Sequence, residues 1–242
     1  QDEQQGGFLS DSDRQDFKLL IKDYQPSPQT LETFVSSDFA VIAGPAGAGK
    51  DTLRGRLVGA RPDKYRAILS TTTRAPRPKE TDGIDYHFVD TQAMKGGLAE
   101  RRYLQAALVH QQQVSTLDIK DIEGLGNSQT GLSILVVGTE QELRAYKPDI
   151  KTIFLVPPSL EDMQDRLHRS SRNSDQAEIS RRMEAAKKEI GFAFDQKNYY
   201  CLVTKDPNHT AALVDAFLTD DKIDRTEDEE ARSKMQEILS QL

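Results

Sequence analysis

The sequence predicts an α/β domain of three layers, built around a parallel sheet. Short continuous apolar runs alternate along the chain with segments of helical periodicity. The clearest runs are Phe39–Ala43, Ser133–Val137 and Thr152–Val156, and such runs are typical of parallel strands buried on both faces. The first run ends in a glycine-rich turn that opens a helix. A chain of 242 residues has room for one such domain with extensions.

The segment before the first strand predicts one helix. Ser10 or Ser12 can cap a helix over about residues 13–24, because both precede apolar residues at helical spacing. Pro26 and Pro28 are expected to end this helix, since proline interrupts helical hydrogen bonding.

The rest of the chain alternates helices with strands. Further helices are expected over about residues 50–59, 91–110, 160–169, 175–189 and 210–218, and further strands at 67–69 and 200–203. Ser159 and either Ser174 or Asp175 are the caps of the helices that follow them. Prolines and a glycine predict a loop over residues 74–86. The charged tail from Asp220 is interpreted as a peripheral helix.

The net charge of -7 is concentrated at the two ends of the chain. Residues 1–37 and 220–242 each carry a net charge of -4, so residues 38–219 carry +1. This near-neutral middle is compatible with phosphate binding, which an evenly acidic protein disfavours. The single cysteine, Cys201, excludes an internal disulfide framework and a cysteine-built zinc site. No run approaches the ~18 apolar residues of a membrane span, so we expect a soluble, cytoplasmic protein without membrane or nucleic-acid partners.

The turn after the first predicted strand has the spacing of a phosphate-binding loop. It reads G-x-x-x-x-G-K between a strand and a helix. Glycines let backbone N–H groups turn toward a phosphate, and the helix N-terminus adds partial positive charge. Lys50 is then expected to reach the β- and γ-phosphates of a nucleoside triphosphate. The predicted ATP-binding residues are Gly44, Pro45, Ala46, Gly47, Ala48, Gly49, Lys50, Asp51 and Thr52.

The position after Lys50 departs from the motif. A Ser or Thr there normally ligates Mg²⁺, the expected cofactor, whereas this chain has Asp51 followed by Thr52. A carboxylate beside phosphates repels them unless a metal ion lies between. Asp51 is therefore a direct or water-mediated ligand of Mg²⁺, or it points away from the phosphates and Thr52 is the Mg²⁺ ligand. As a third alternative, Asp51 only complements the helix dipole.

A second anion site is predicted on the loop that follows. Arg74 and Arg77 lie three residues apart on a proline-stiffened segment, which suits a preorganised clamp for a dianion. Ser70 and Tyr86 add hydroxyl donors. The ordinary alternatives are a solvated charged loop and a packed tyrosine.

At this point the sequence resembles guanylate kinases over about residues 38–218. The matching motifs are the nucleotide loop, T-T-R-x-P-R at 72–77, G-x-D-Y-x-F-V at 83–89, I-F-L-V-P-P-S-L-E at 153–161 and R-R-M-x-x-A-x-x-E-I at 181–190. The resemblance implies a P-loop NTPase fold with a parallel-sheet core, a nucleoside monophosphate (NMP)-binding insertion and a lid. The implied boundaries are an N-terminal extension at 1–37 (polar, disordered start plus helix), a core at 38–69, 132–160 and 186–219, an insertion at 70–131, a lid at 161–185 and an acidic helical tail at 220–242.

The resemblance also implies how an acceptor is held. Ser70, Arg74, Arg77 and Tyr86 would bind the acceptor's phosphate. The base-recognition residues differ from the family pattern, however. The glutamate of the family's F-L-E segment is Gln105, and the acidic residue after a later strand is Gly138.

The family's Y-Y-G-T segment is replaced by Gln113–Thr116. The aromatic pair is absent, while Ser115 still offers a hydroxyl to an acceptor. The phosphate half of the predicted site is thus retained and the base half is altered.

Arginines after Ser159 suit a lid that closes over the phosphates. Arg166, Arg169 and Arg172 recur every three residues, and Arg181 and Arg182 follow. Lid arginines can supply positive charge around a transferring phosphoryl group. The alternative is that several only pair with acids along helix faces. The predicted catalytic residues are Lys50, Arg74, Arg166, Arg169 and Arg182.

The resulting hypothesis is an ATP-dependent NMP kinase that phosphorylates GMP or dGMP, as a monomer or homodimer. One alternative is a kinase of the same fold for a phosphosugar such as ribose 1,5-bisphosphate. That branch shares the Gly49-Lys50-Asp51 sequence and a segment like Val137–Thr139. The other alternative is a catalytically lost interaction module with a guanylate-kinase-like fold.

Overall fold

The structure is a computed structural model that describes residues 9–109, 111–170 and 176–242. The polar start expected to be disordered and the caps proposed at Ser174 or Asp175 lie outside these residues. The strands are β1 (Phe39–Ala43), β2 (Tyr65–Ile68), β3 (Ser70–Thr72), β4 (His87–Phe88), β5 (Tyr103–Val109), β6 (Gln113–Asp118), β7 (Thr130–Ile134), β8 (Lys151–Val156) and β9 (Tyr199–Val203). The helices are α1 (Asp11–Lys22), α2 (Pro28–Ser36), α3 (Lys50–Ala60), α4 (Thr91–Ala99), α5 (Ile119–Glu123), α6 (Val137–Tyr146), α7 (Leu160–Ser170), α8 (Gln176–Phe194), α9 (Pro207–Asp220) and α10 (Arg225–Gln241).

A five-stranded sheet forms the centre of the molecule, in the order β2-β7-β1-β8-β9. All its neighbouring strands run parallel. In the central strand, Val41 pairs with Ser133 on one side and with Thr152 on the other. The chain leaves β1 for β2 on one side and later returns to β8 on the other. The end of β1 therefore lies at a crevice where the strand order reverses, which is where open α/β sheets bind ligands.

Helices cover both faces of this sheet, which confirms the predicted three-layer α/β architecture. Along β1, Ala40 and Ile42 pack with residues of α3 and α9, whereas Val41 and Ala43 pack with residues of α8 and α10. The same alternation continues in β8. Because both faces are buried, every residue of β1 is buried, which explains its continuous apolar sequence.

A second sheet of four strands, in the order β4-β3-β6-β5, lies within the segment predicted to be the insertion. The pairs of β6 with β3 and β5 are antiparallel. Its outer side packs against α1 and α4 around Phe17, Met94 and Tyr103. Two contacts anchor the N-terminal segment there: Lys95 pairs with Asp13 at 2.9 Å, and the Tyr24 hydroxyl donates to the Tyr103 carbonyl at 2.8 Å.

Two expectations about helices are wrong. Pro28 does not end a helix but begins one, α2, because Ser27 caps it and proline suits the first helical turn. The helix predicted over 91–110 ends at Ala99, and Tyr103–Val109 is strand β5. Tyr103 packs its ring so closely on Gly97 that a Cβ there would lie 2.3 Å from it. This packing turns the chain from α4 directly into the sheet.

Other boundaries differ by a few residues. The strand expected at Ser133–Val137 starts at Thr130 and ends at Ile134, and Val137 already belongs to α6. Ser159 caps α7 as predicted, since its hydroxyl accepts the Asp162 N–H at 3.0 Å. In the part of the chain that the structure describes, no helix has the length and apolar character of a membrane span.

The C-terminal helix exists as predicted, but it is not peripheral. Ala231, Met235 and Ile238 of α10 are completely buried in the larger core cluster. The Asp228 carboxylate accepts the Cys201 N–H of the edge strand β9 at 2.8 Å. Glu229, Glu230 and Glu237 of α10 are exposed, while its apolar face completes a helical layer. Burial also raises the pKa of the Cys201 thiol to about 12, so this thiol stays protonated.

Candidate active site

The predicted phosphate-binding loop lies between β1 and α3 at the centre of the sheet. Gly44 adopts a φ of 142°, and a Cβ there would lie 2.6 Å from the Leu155 carbonyl oxygen. Gly47 has a φ of 79°, and a Cβ there would lie 3.1 Å from Cβ of Arg166. Both positions need glycine for backbone conformation and for close approach. The loop is therefore a compact backbone cradle pressed against β8 and α7.

Lys50 begins α3 and folds back over this loop. Its ammonium donates to the carbonyl oxygens of Gly44 at 2.6 Å and Pro45 at 2.8 Å. Burial lowers the pKa of Lys50, and the charges of Glu189 and Asp51 oppose that shift. Since its only described hydrogen-bond partners are carbonyls, its positive charge is not neutralised by a direct carboxylate contact. An anionic ligand at the loop can thus compete for it.

The predicted arginine clamp lies on the loop between β3 and β4. Both terminal nitrogens of Arg74 donate to the Glu80 carboxylate, at 2.5 and 2.8 Å. The same carboxylate accepts the Arg77 N–H at 2.8 Å. The Arg74 guanidinium also lies 4.8 Å from the ring centroid of Tyr86. Glu80 thereby fixes both arginines of the clamp, while the Arg77 side chain stays exposed.

The opposing charges explain the titration of the Glu80 carboxyl. Burial opposes its ionisation, but the hydrogen bonds from Arg74 and from the Arg77 N–H outweigh burial and hold the pKa of Glu80 below its ordinary value. The carboxylate is therefore charged, and the clamp is stable, at neutral pH.

Lid residues approach the loop from α7 and α8. Arg166 donates to the Gly47 carbonyl at 3.2 Å and pairs with Asp162 at 2.6 Å. Arg182 lines the same cavity as Lys50. Arg169 is directed elsewhere: its side chain is 81% exposed and lies 3.7 Å from Asp165. Arg172 lies outside the described residues.

The two predicted metal ligands occupy different places. Asp51 borders the cavity next to Lys50, with its side chain 84% exposed and one oxygen 3.3 Å from Arg54. Thr52 is exposed and lines no described cavity around the loop. Among the described residues, no cluster of three or more His, Cys, Asp or Glu side chains could hold a metal ion alone. Asp51 is the better placed of the two candidates.

Two adjoining cavities join these elements into one cleft, which we call the Lys50 cleft. Their volumes are about 360 and 390 Å³. Both are lined by Ala46, Lys50, Ser70, Arg77, Tyr86 and Ile134. The first also contains Gly47, Asp51, Arg54, Glu80, Asp85 and Arg182. The second extends to Gly44, Arg74, Gln105, Ser115, Thr139 and Glu189. All predicted acceptor-site residues and most of the predicted ATP-binding residues therefore face a common space. The predicted residues that line neither cavity are Pro45, Ala48, Gly49, Thr52, Arg166 and Arg169.

The structure adds residues that sequence reasoning missed. Arg54 is buried in the cleft wall, one helical turn after Lys50, and burial lowers its pKa. Its i, i+4 spacing from Lys50 places both cations on one face of α3, a signal that the sequence does contain. Glu189 on α8 also lines the cleft, and burial raises its pKa. Glu189 is the glutamate of the R-R-M-x-x-A-x-x-E-I motif, and the motif by itself does not indicate a role for this residue.

Comparison with known proteins agrees with this arrangement. The family model described as guanylate kinase matches residues 36–221, which is most of the chain. The chain belongs to the guanylate kinase family. Two similar members are the guanylate kinases of Schizosaccharomyces pombe and Idiomarina loihiensis. The first is 34% identical over 69% of this chain and 82% of its own length, and the second is 33% identical over 75% and 85%.

A solved guanylate kinase has the same fold. The structure of guanylate kinase from Anaplasma phagocytophilum superimposes with a TM-score of 0.55, at 20% sequence identity, over 80% of this chain and 92% of its own. Together with the parallel five-stranded sheet, this confirms the predicted P-loop fold. As a member of the guanylate kinase family, the chain is a phosphotransferase of the NMP kinase class.

Proposed function

We propose that this protein transfers the γ-phosphoryl group of MgATP to GMP or dGMP. The observation that carries the proposal is the common border of the Lys50 cleft: the phosphate-binding loop with Lys50 forms one wall, and Ser70, Arg77 and Tyr86 form another. A donor phosphate at the loop and an acceptor phosphate at the arginines would therefore meet in one space. The two relatives described above are guanylate kinases, which supports the acceptor assignment.

Positioning and charge would do most of the catalytic work, because phosphoryl transfer needs little covalent participation by the protein. On ATP binding, Lys50 would exchange the Gly44 and Pro45 carbonyls for the β- and γ-phosphate oxygens. Arg74 and Arg77 would hold the acceptor phosphate in line with the γ-phosphorus. Arg182 and Arg166 would add positive charge from the lid, where it can stabilise the charge of the transferring group.

The residues present fit a magnesium ion. Mg²⁺ usually keeps several waters and binds one or two carboxylates together with substrate phosphates. The exposed Asp51 carboxylate beside Lys50 offers such an oxygen, so Asp51 rather than Thr52 would hold the ion. When bound, the ion would screen the negative charge of the β- and γ-phosphates from Asp51 and from the incoming acceptor.

The insertion at 70–131 and the lid at 161–185 would be the moving parts of the cycle. The insertion carries the clamp and the lid carries Arg166 and Arg182, and both border the phosphate-binding loop or the cleft beside it. Closure would bring both phosphates together and exclude water, which otherwise hydrolyses ATP.

The test is a coupled assay of ADP and GDP formation with MgATP and GMP, on the wild type and on Lys50→Ala. We expect GDP formation by the wild type. We expect kcat/KM to fall in Lys50→Ala by at least about a hundredfold, the usual cost of removing one charge-stabilising group. Lys197→Ala is the matched control, since Lys197 is exposed and lies away from the cleft.

Near-normal turnover in Lys50→Ala would contradict the assigned site. Turnover of ribose 1,5-bisphosphate without turnover of GMP would instead identify a phosphosugar kinase. If MgATP raises the melting temperature but no acceptor is phosphorylated, the chain is a binding module rather than a kinase.

A further inference from the structure

The far wall of the Lys50 cleft is one face of the second sheet, and this face is uncharged. Side chains two residues apart on a strand point to the same side. The lining residues follow that rule on three strands: Ser70 and Thr72 on β3, Gln113 and Ser115 on β6, and Gln105, Ala107 and Val109 on β5. None of these side chains is ionisable. A ligand group that reaches this wall is therefore recognised through hydrogen bonds to uncharged side chains and through apolar contacts.

Gln105 is the buried carboxamide on this wall, and it lies at an irregularity of strand β5. Between the pairs Tyr103–Asp118 and Ala106–Thr116 the strands change register, with one more residue on β5 than on β6. Such a bulge re-aims a side chain and is common beside active sites. Gln105 lies inside it, is only 7% exposed and lines the cleft.

The Gln105 amide has no fixed partner. Its Oε1 atom is buried and lacks a hydrogen bond, and among the described residues the side chain makes none at all. A buried oxygen without a hydrogen bond is unfavourable, so a ligand that donates to it gains affinity. Because nothing holds the amide one way round, it can turn by 180° at little cost.

A carboxamide presents one donor and one acceptor side by side. In one orientation it matches the O6 acceptor and N1–H donor of guanine, which hypoxanthine shares. In the other orientation it matches the N6–H donor and N1 acceptor of adenine. The 2-amino group of guanine finds no carboxylate on this wall, where Gln105, Gln113 and Ser115 are all neutral.

From these observations we propose that the Gln105 carboxamide hydrogen-bonds to the acceptor base in either of two orientations, related by a 180° turn. The cleft would then accept 6-oxopurine and 6-aminopurine monophosphates alike. This inference rests on the proposed function and extends its substrate class from GMP to GMP, IMP and AMP. The clamp of Arg74 and Arg77 holds the phosphate that all three nucleotides share, and Gln105 pairs with whichever purine edge arrives.

The experiment compares kcat/KM for GMP, IMP and AMP with MgATP, in the wild type and in two variants. We expect the wild-type ratio of GMP to AMP to lie below about a hundredfold, because each base makes the same number of hydrogen bonds; a larger ratio overturns the inference. In Gln105→Glu the carboxylate accepts from N1–H and the 2-amino group of guanine but faces the bare N1 of adenine. The ratio should therefore rise by at least about tenfold, since unpaired polar groups are strongly rejected.

Gln112→Glu is the control, because it makes the same chemical change on the exposed turn of the same hairpin. It should leave the ratio of GMP to AMP unchanged. An unchanged ratio in Gln105→Glu would overturn the role of Gln105 even if all three substrates react.

Thermal shifts separate this inference from the proposed function. If no monophosphate is phosphorylated, the proposed function fails, but binding still raises the melting temperature. Similar shifts with GMP, IMP and AMP would then sustain the inference. A shift with GMP alone, or with none of the three, would overturn it.

Discussion

At the scale of single residues, Glu80 holds the proposed acceptor clamp together. The two arginines that the sequence singled out do not stand alone in solvent, because one carboxylate binds the Arg74 guanidinium and the Arg77 N–H. The ring of Tyr86 lies next to the same guanidinium, 4.8 Å from its carbon to the ring centroid. The clamp is thus a preorganised unit of four residues, and Glu80 is its positioning residue.

Replacing Glu80 by Gln should weaken acceptor binding more than donor binding. The amide keeps the size of the side chain but removes its charge, and hydrogen bonds to charged groups contribute about 1.5–3 kcal/mol. We expect the KM for the acceptor monophosphate to rise by about 10–100-fold, while the KM for ATP stays within about twofold. Steady-state kinetics with each substrate varied in turn measures both values.

Glu123→Gln, an exposed position on α5, controls for the loss of one surface charge. If Glu80→Gln raised both KM values equally, Glu80 would act on the fold as a whole rather than on the clamp. The melting temperature of the variant distinguishes the two cases directly.

The residues of the candidate site were predictable to the extent that their roles depend on local sequence. Lys50, Arg74 and Arg77 stand out because a phosphate ligand needs glycines, cations and hydroxyls at fixed short spacings. Glu189 did not stand out, because the fold brings it to Lys50 from α8, far away in sequence. Arg169 was overpredicted, since its three-residue spacing from Arg166 does not place both on the face toward the loop.

At the scale of elements, the sequence correctly predicted the strands of the central sheet that are buried on both faces. The runs at β1 and β8 were recognisable because parallel strands buried on both sides must be apolar throughout. Strand β5 was missed, because its residues are only partly buried at one end and were included in the helix predicted over 91–110. Helix α2 was missed because Pro28 reads equally well as a terminator and as a first-turn residue.

Helix α1 shows how an element outside the family match packs behind the proposed acceptor site. Phe17 is fully buried among Met94, Leu98 and Tyr103, on the outer side of the sheet whose inner side lines the cleft. Phe17→Ala should lower the free energy of unfolding by about 3–5 kcal/mol through lost contacts and a cavity. Urea unfolding followed by circular dichroism measures this loss.

The control for this variant lies two residues away on the same helix. Leu19 is 76% exposed, so Leu19→Ala should change the free energy of unfolding by no more than about 0.5 kcal/mol. Equal effects of the two variants would mean that α1 does not pack on the insertion as the structure shows.

At the scale of the whole molecule, the two acidic ends are structural parts of one core. The family match covers residues 36–221, so α1, most of α2 and all of α10 lie outside it. Yet Phe34 of α2 and Met235 of α10 belong to the same buried cluster as Val41 of the central strand. Among the described residues of both ends, most acidic side chains are exposed, and the apolar faces extend the kinase core.

Met235→Ala tests whether α10 is integral to the fold. Met235 is completely buried, so we expect a loss of about 2–5 kcal/mol in the free energy of unfolding. For a protein of this size, that loss corresponds to a melting temperature lower by about 4–20 °C. Gln236→Ala, next to it on the exposed face, should stay within about 0.5 kcal/mol of the wild type.

The outcome separates two kinds of C-terminal segment. If α10 were an appended tail, Met235→Ala and Gln236→Ala would leave the main unfolding transition equally unaffected, because a detached helix contributes nothing to the core. If α10 completes the helical layer over β9, Met235→Ala shifts the whole transition, and circular dichroism and tyrosine fluorescence shift together. Coincident shifts are expected, since Tyr199 lies in the same cluster as Met235 and reports on that part of the core.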